Sequence, residues 1–269
     1  EDECGMTNTA ENRLEICAIP AFIDNYIWLL ADHANQACAV VDPGDAGPVQ
    51  AWLAEHPGWV LSDVLITHHH SDHVGGVEKL KSEFNPLVYG PANESIPARD
   101  RPLTDGDLIH VLGRTINVIA VPGHTSGHLA YYLVDEDVLF SGDTLFSAGC
   151  GRLFEGTPRQ MLTSLECLAA LPGQTQVYCA HEYTLPNLRF ALAVDPDNQQ
   201  IAKLLTEVCE IRNRGQCTLP TRISVERAYN PFLRVREAKI VEAVQRNTRL
   251  AITSAEACFA AMRMWKDNF

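Results

Sequence analysis

The stretch Leu65-Ile66-Thr67-His68-His69-His70-Ser71-Asp72-His73-Val74-Gly75-Gly76 puts five side chains able to bind a metal ion into the six positions from 68 to 73. An ordinary hydrophobic core has no use for them, so the fold must carry them to a place that can hold cations. Asp63-Val64-Leu65-Ile66 reads as a buried strand, Thr67 to His73 as a loop, and Val74 to Glu83 as the start of a helix. Open α/β sheets place their sites at such strand ends. Within H-x-H-x-D-H, a loop with alternating side-chain directions can offer His68 and His70 to one cation, and Asp72 and His73 to another. Imidazole and carboxylate ligands suit Zn, Fe or Mn, and the absence of Cys argues against a closed structural zinc site. A solvated His-rich turn or an affinity tag would also explain histidines; a tag would be terminal and would lack the Asp.

Three distant residues extend the cluster to a candidate two-metal site. His124 follows Val118-Ile119-Ala120-Val121-Pro122-Gly123, Asp143 follows Val138-Leu139-Phe140-Ser141-Gly142, and His181 follows Val177-Tyr178-Cys179-Ala180. Each closes an apolar strand-like run, so all should reach the same sheet edge. Singly, such a residue reads as a hydrogen-bonded turn; together, His68, His70 and His124 would hold a first metal, Asp72, His73 and His181 a second, with Asp143 bridging.

In this pattern the chain resembles the metallo-β-lactamase superfamily and, within it, the hydroxyacylglutathione hydrolases, or glyoxalase II. The narrower resemblance rests on Phe140 to Thr157, on Ala180-His181-Glu182-Tyr183-Thr184, on Asn230-Pro231-Phe232-Leu233-Arg234 and on Arg263-Met264-Trp265-Lys266-Asp267-Asn268-Phe269. It runs from about Leu14 onward. The resemblance implies a four-layer αββα sandwich with a small C-terminal helical domain, where periodicity alone would give α/β or α+β. It also implies cleavage of a 2-hydroxyacyl glutathione thioester, S-D-lactoylglutathione above all, to the hydroxy acid and glutathione in methylglyoxal detoxification. Arg152, Phe154, Tyr183, Arg263 and Lys266 would then face the glutathione moiety, chiefly its glycine carboxylate. Many family members have Lys where this chain has Arg152 and Tyr where it has Phe154; Arg keeps the charge, but Phe loses a hydroxyl. Without the resemblance, Arg263 and Lys266 read as charges on an exposed helix face.

Two divalent cations would lower the pKa of a bridging water and polarise a carbonyl, with Asp72 and Asp143 the catalytic carboxylates, and zinc the first expectation ahead of iron or manganese. No Ser or Cys nucleophile is then required. Cys150, in Ala148-Gly149-Cys150-Gly151, has no histidine free to act as its base and reads as structural. An alternative on the same scaffold is a mononuclear-iron glutathione persulfide dioxygenase, which needs only one filled site. A non-catalytic zinc buffer gives no reason for the Arg263-Lys266 pair.

A formal charge of −13 disfavours nucleic acid, including an RNA phosphodiesterase role, and anionic membrane as partners. The expected partner is a small-molecule glutathione thioester, and the chain is expected to act as a monomer. Nine cysteines without C-x-x-C spacing read as reduced thiols, and no signal peptide or membrane-length apolar run is evident, so the expected compartment is the cytoplasm. Met6 is a candidate natural start, with residues 1–5 an added or poorly ordered tail.

The expected organisation is a tail over 1–13, a catalytic domain over 14–184 and a helical substrate-binding domain over 185–269. Leu14 to Ile19, Tyr26 to Leu30 and Ala37 to Val41 read as strands, Ala46 to Glu55 as a helix, and Ala130 to Val134 with Val138 to Ser141 as a hairpin. Asp42 is either an orienting partner of a metal-bound histidine or an Asx-turn residue. Pro158 to Leu171 reads as an amphipathic helix. Beyond His181 the pattern is helical only, with Thr253 and Glu256 as a capping box for the last helix. His69 should point away from the site and His128 stand behind it, while His33, His56 and His110 read as surface or strand-end residues.

Overall fold

The computed structural model describes residues 14–269. The N-terminal tail, Met6 and Cys4 lie outside the described residues. Side chains that alternate along the strands decide the layering, because neighbouring positions must be buried on opposite faces. Six strands form the first sheet in chain order: β1 (Glu15–Ala21), β2 (Asn25–Asp32), β3 (Ala37–Val41), β4 (Val60–Leu65), β5 (Leu87–Pro91) and β6 (Arg101–Leu103). On β2, Trp28 and Leu30 enter the core between the sheets, whereas Ile27 and Leu29 face α1 (Ala46–Glu55) and α3 (Val77–Phe84). Between those helices lies the short α2 (Ser71–Val74).

The second sheet takes β7 (Leu108–Val111), β8 (Arg114–Ala120), β9 (Leu129–Leu133) and β10 (Val138–Gly142). A small hairpin, β11 (Leu145–Phe146) and β12 (Gly149–Cys150), follows, and then β13 (Gln176–Cys179) and β14 (Thr221–Arg222) complete the order β14-β13-β10-β9-β8-β7. One face meets the first sheet through Ile116, Val118, Tyr131 and Phe140. Its other face, carrying Ala130, Tyr132, Leu139 and Val177, is covered by α4 (Pro158–Ala169) and later helices. Helix, sheet, sheet and helix make the four layers.

The remaining helices are α5 (Thr184–Val194), α6 (Gln199–Asn213), α7 (Ile223–Tyr229), α8 (Ala238–Thr248) and α9 (Ala255–Asp267). Ile240, Val244, Phe259 and Met262 from α8 and α9 share one core with α4 and the second sheet. Two details differ from the sequence reading. The region after His181 is not helical only, since β14 pairs antiparallel with β13; a two-residue strand carries no periodic signal. The cap of α9 is Ser254, whose side chain accepts from the Ala257 amide, rather than Thr253. Adjacent residues of equal capping chemistry are separated only by backbone geometry.

Candidate active site

Each candidate ligand leaves a strand end: His68 and His70 after β4, His124 after β8, Asp143 after β10 and His181 after β13. Asp72 and His73 differ from the expectation of an extended loop, because they lie on α2, a single helical turn. That turn is packed against the backbone of residues 43–46. A Cβ on Gly44 would lie 1.8 Å from the Asp72 carbonyl oxygen, and one on Gly76 2.5 Å from the Ala46 nitrogen. Only glycine permits such approach, and it is why the helical pattern restarts at Val77.

Hydrogen bonds assign the proton of four imidazoles to Nδ1 and turn each Nε2 inward. His73 Nδ1 donates to Asp42 Oδ2 (3.0 Å), His181 Nδ1 to Asp24 Oδ1 (2.8 Å) and His124 Nδ1 to the Arg152 carbonyl (2.9 Å). Thr67 Oγ1 donates to Asp42 Oδ2 and so accepts from His68 Nδ1 at 3.0 Å. His70 is the exception, with Nδ1 inward, 3.1 Å from His68 Nε2 and 3.0 Å from His124 Nε2. Lone pairs cannot face one another at that distance without a shared proton or cation between them.

Ligand atoms of His68, His70 and His124 lie within 4.8 Å of one another, as do those of Asp72, His73 and His181. Asp143 lies between the triads: Oδ2 is 3.4 Å from His124 Nε2 and 3.3 Å from His181 Nε2, and Oδ1 is 3.6 Å from His73 Nε2. Both Asp143 Oδ1 and His73 Nε2 are buried without a hydrogen-bond partner. Orphaned buried groups of opposite preference around one point are what a cation would satisfy, so the residues fit divalent metals. Two further His and carboxylate groupings share these residues, Asp42-His68-His73 and His69-His70-Glu155. Asp42, however, already accepts from the Thr67 amide, the Thr67 hydroxyl and His73.

Charge follows the same logic. Burial lowers His68 and His128 well below the ordinary imidazole range. Burial would lower His73 too, but Asp143 and Asp42 outweigh it and hold it well above. Asp143 is held well below the carboxylate range because His73 and His181 overcome its burial. The excess of carboxylate charge that favours a proton on His73 Nε2 would equally favour a metal there. His128 stacks on His68 with centroids 4.7 Å apart and accepts the Asp143 amide at Nε2 (3.1 Å), while His69 turns outward to Glu155 (2.7 Å). His33 and His110 are exposed, and His56 stacks on Trp52.

A cavity of about 590 Å³ opens over this cluster, lined by His70, Asp72, His124, Asp143 and His181 at its base and by Phe146, Cys150, Arg152, Phe154, Tyr183, Asn187, Arg263 and Lys266 around it. Tyr183 lies parallel to His181, centroids 4.7 Å apart. Phe154 meets His70 and His124 edge-on while 63% exposed, an apolar surface beside the cluster. The three cations are not alike. Arg263 is buried, with Nη1 on the Cys150 carbonyl (2.8 Å) and Nε and Nη2 on Asp267. Arg152 is exposed with Asp267 at 3.6 Å. Lys266 Nζ lies over the Phe190 ring at 5.4 Å, and burial lowers its pKa. Burial likewise pushes the Cys150 thiol up to about 11, Arg263 notwithstanding.

Asp24 and Asn25 were not anticipated from the sequence. The Asn25 amide donates to Asp72 Oδ2 (2.9 Å), and Asn25 bridges to His181. They turn the tip of the β1–β2 hairpin onto the cluster, and no local signal announces that contact. Phe146 and Asn187, which line the cavity, were missed for the same reason.

Two sheets between helical layers, with this cluster at their edge, define a metallo-β-lactamase fold, and the metallo-beta-lactamase superfamily profile matches residues 22–181. Solved structures share it at fold level: ETHE1 from Myxococcus xanthus (TM-score 0.64, 24% identity, 94% of this chain and 98% of that one) and the BLEG-1 B3 metallo-beta-lactamase (TM-score 0.61, 24% identity, 82% and 99%). Residues 182–269 match the hydroxyacylglutathione hydrolase C-terminus. The hydroxyacylglutathione hydrolases of Pseudomonas fluorescens (strain SBW25) and Ectopseudomonas mendocina (strain ymp) are 59% and 57% identical, over 95% of this chain and 100% of each of theirs. The chain therefore belongs to the hydroxyacylglutathione hydrolase family and is an enzyme, a thioester hydrolase; the dioxygenase alternative is not favoured. Among the described residues no helix is long and apolar enough to cross a membrane.

Proposed function

We propose that the protein cleaves S-(2-hydroxyacyl)glutathione, S-D-lactoylglutathione above all, to the 2-hydroxy acid and glutathione at a binuclear metal centre, in methylglyoxal detoxification. His68, His70 and His124 would hold one metal, Asp72, His73 and His181 the other, and Asp143 both. Zinc is the first expectation, iron or manganese the alternatives. The observation that carries the reading is the sharing of Asp143 between two triads at the base of a cavity rimmed by cations. We further propose residues 14–184 as the catalytic unit, 185–269 as the substrate-binding unit, and a cytoplasmic monomer.

When bound, two such cations supply Lewis-acid polarisation of the thioester carbonyl and acidify water. The chain's own residues do the rest. Asp42, Asp24 and the Arg152 carbonyl keep protons on the outer nitrogens of His73, His181 and His124, leaving Nε2 free. Asn25 fixes the rotation of Asp72. Tyr183, stacked on His181, and Phe154, edge-on to His124, offer the substrate aromatic surface beside the cluster. Arg152 and Lys266 give a peptide carboxylate its charge-assisted partners. The Cys150 thiol, pushed up to about 11 by burial, stays protonated at neutral pH and offers no competing nucleophile. Metal analysis of the purified protein together with a thioester-hydrolysis assay tests the proposal. One metal per chain with oxygen uptake on glutathione persulfide, and no thioester cleavage, would refute it.

A further inference from the structure

Glu94 lies in the connection between β5 and β6 and is only 8% exposed. Its Oε2 accepts from the His69 amide (2.7 Å), and its Oε1 from the Thr125 hydroxyl (2.5 Å) and the Gly127 amide (3.0 Å). Neutral donors, two of them backbone amides, thus hold a buried carboxylate. Arg99, the neighbouring cation, donates to the Glu94 backbone carbonyl instead (2.7 Å). The two loops that Glu94 joins are far apart in sequence: one carries His68 and His70, the other His124. Gly127 makes the approach possible, since a Cβ there would stand 2.6 Å from Glu94 Cγ.

The two triads are supported in different ways. Side chains fix the ligands of the second: Asn25 on Asp72, Asp42 on His73 and Asp24 on His181. In the first, His70 presents the opposite ring nitrogen from its partners. Its position therefore follows the backbone of residues 68–70, and that backbone is what Glu94 grips. From the solvent side, Glu155 spans the same loops, accepting from His69 Nε2 (2.7 Å) and the Ser126 amide (2.8 Å). It is partly exposed, so Glu94 is the member that water cannot replace.

We propose that Glu94 is a positioning residue of the first centre. By tying the His68–His70 loop to the His124 loop, it sets the spacing of the three ring nitrogens that would hold the first cation. The inference rests on the two-centre reading under Proposed function. Outer partners of metal ligands change metal affinity by roughly 10–100-fold when removed.

The test uses the full chain loaded with zinc and titrated with a chromophoric chelator. Wild type should retain two ions per chain with similar affinity. In Glu94→Ala one of the two should weaken by roughly 10–100-fold, while the other keeps its affinity. Excess zinc should restore kcat, and KM for the thioester should not move. Glu94→Gln should fall between, because an amide oxygen can still accept from Thr125 and Gly127 but its NH2 cannot accept from the His69 amide. Should Glu94→Ala not fold, Thr125→Val removes one donor and should shift the same single affinity. If these variants bind both ions like wild type and only melt earlier, or if both affinities fall alike, Glu94 is a general fold residue and the proposal is overturned. A wild type that binds fewer than two ions overturns the two-centre reading itself, and is recognised by needing no substitution.

Discussion

Arg263 and Lys266 sit on one face of α9, yet their replacement should give opposite signatures. Arg263→Ala strips the partner from the buried Cys150 carbonyl and from Asp267, and removes a guanidinium 5.0 Å from the Phe232 ring centre. An unsatisfied buried carbonyl costs about 1–3 kcal/mol and the ring contact about 1 kcal/mol more. At about 2–4 °C per kcal/mol for a chain of this size, Tm should drop by roughly 5–15 °C. Lys266 pairs with no carboxylate among the described residues and only overlies Phe190 and Phe269. Lys266→Ala should therefore change stability by about 1 kcal/mol or less. A charge-assisted bond to the substrate carboxylate is worth about 1.5–3 kcal/mol, so KM should rise about tenfold to a hundredfold with kcat little changed. Melting curves and steady-state kinetics of the zinc-loaded proteins separate the two. A second thioester lacking the glycine carboxylate completes the comparison: Lys266→Ala should handle it no worse than wild type, whereas Arg263→Ala, which disturbs β12, should handle both substrates worse. Equal KM increases with unchanged Tm for the two variants would refute this division of labour.

Asp143→Ala should lower metal content and cut turnover by more than the roughly 10–100-fold expected for an outer partner, read by metal analysis and kcat. Cys150→Ala should leave kcat within about twofold of wild type, as a buried protonated thiol contributes no nucleophile; loss of turnover in a folded, metal-loaded variant would contradict that. Burial, the largest influence, raises Glu226 from 4.5 to about 7 against hydrogen bonds from Thr221, Asn230 and Ala148. A carboxyl raised on folding contributes stability that is complete below its unfolded value and lost as pH climbs through its folded one. Denaturant midpoints should show wild type losing up to about 3 kcal/mol relative to Glu226→Gln between about pH 4.5 and about pH 7.

The convergence of the candidate residues was legible for His68, His70, His124, Asp143 and His181, because each follows an apolar strand and strand ends of one sheet edge meet, whereas Asp72 and His73 arrive on the turn α2. Its supports were not. Asn25 pairs with His181 across 156 positions, and Glu94 reaches Gly127 across 33, contacts that only the packing of sheets and loops decides. Local patterning likewise missed α2, because four residues are too few to show a period, although Gly75-Gly76 marks where its axis breaks. Capping was off by one at α9, where Ser254 rather than Thr253 is the cap, and the box that Thr157 and Gln160 form on α4 was not anticipated.

Arg263 shows most clearly why charge in a sequence underdetermines role. Spacing alone reads it and Lys266 as charges on an exposed helix face, and the resemblance puts both on the substrate; their different burial and partners are what distinguish them. That burial arises because Phe259 and Met262 of α9 enter the core shared with α4 and the second sheet, which turns Arg263 inward to the strand β12 that leads into Arg152. The helix that would recognise substrate is thereby fastened to the loop that leaves Asp143. Recognition and chemistry would be two ends of one packed unit, so a substitution at Arg263 reaches the cavity wall through Cys150, whereas one at Lys266 acts through the substrate.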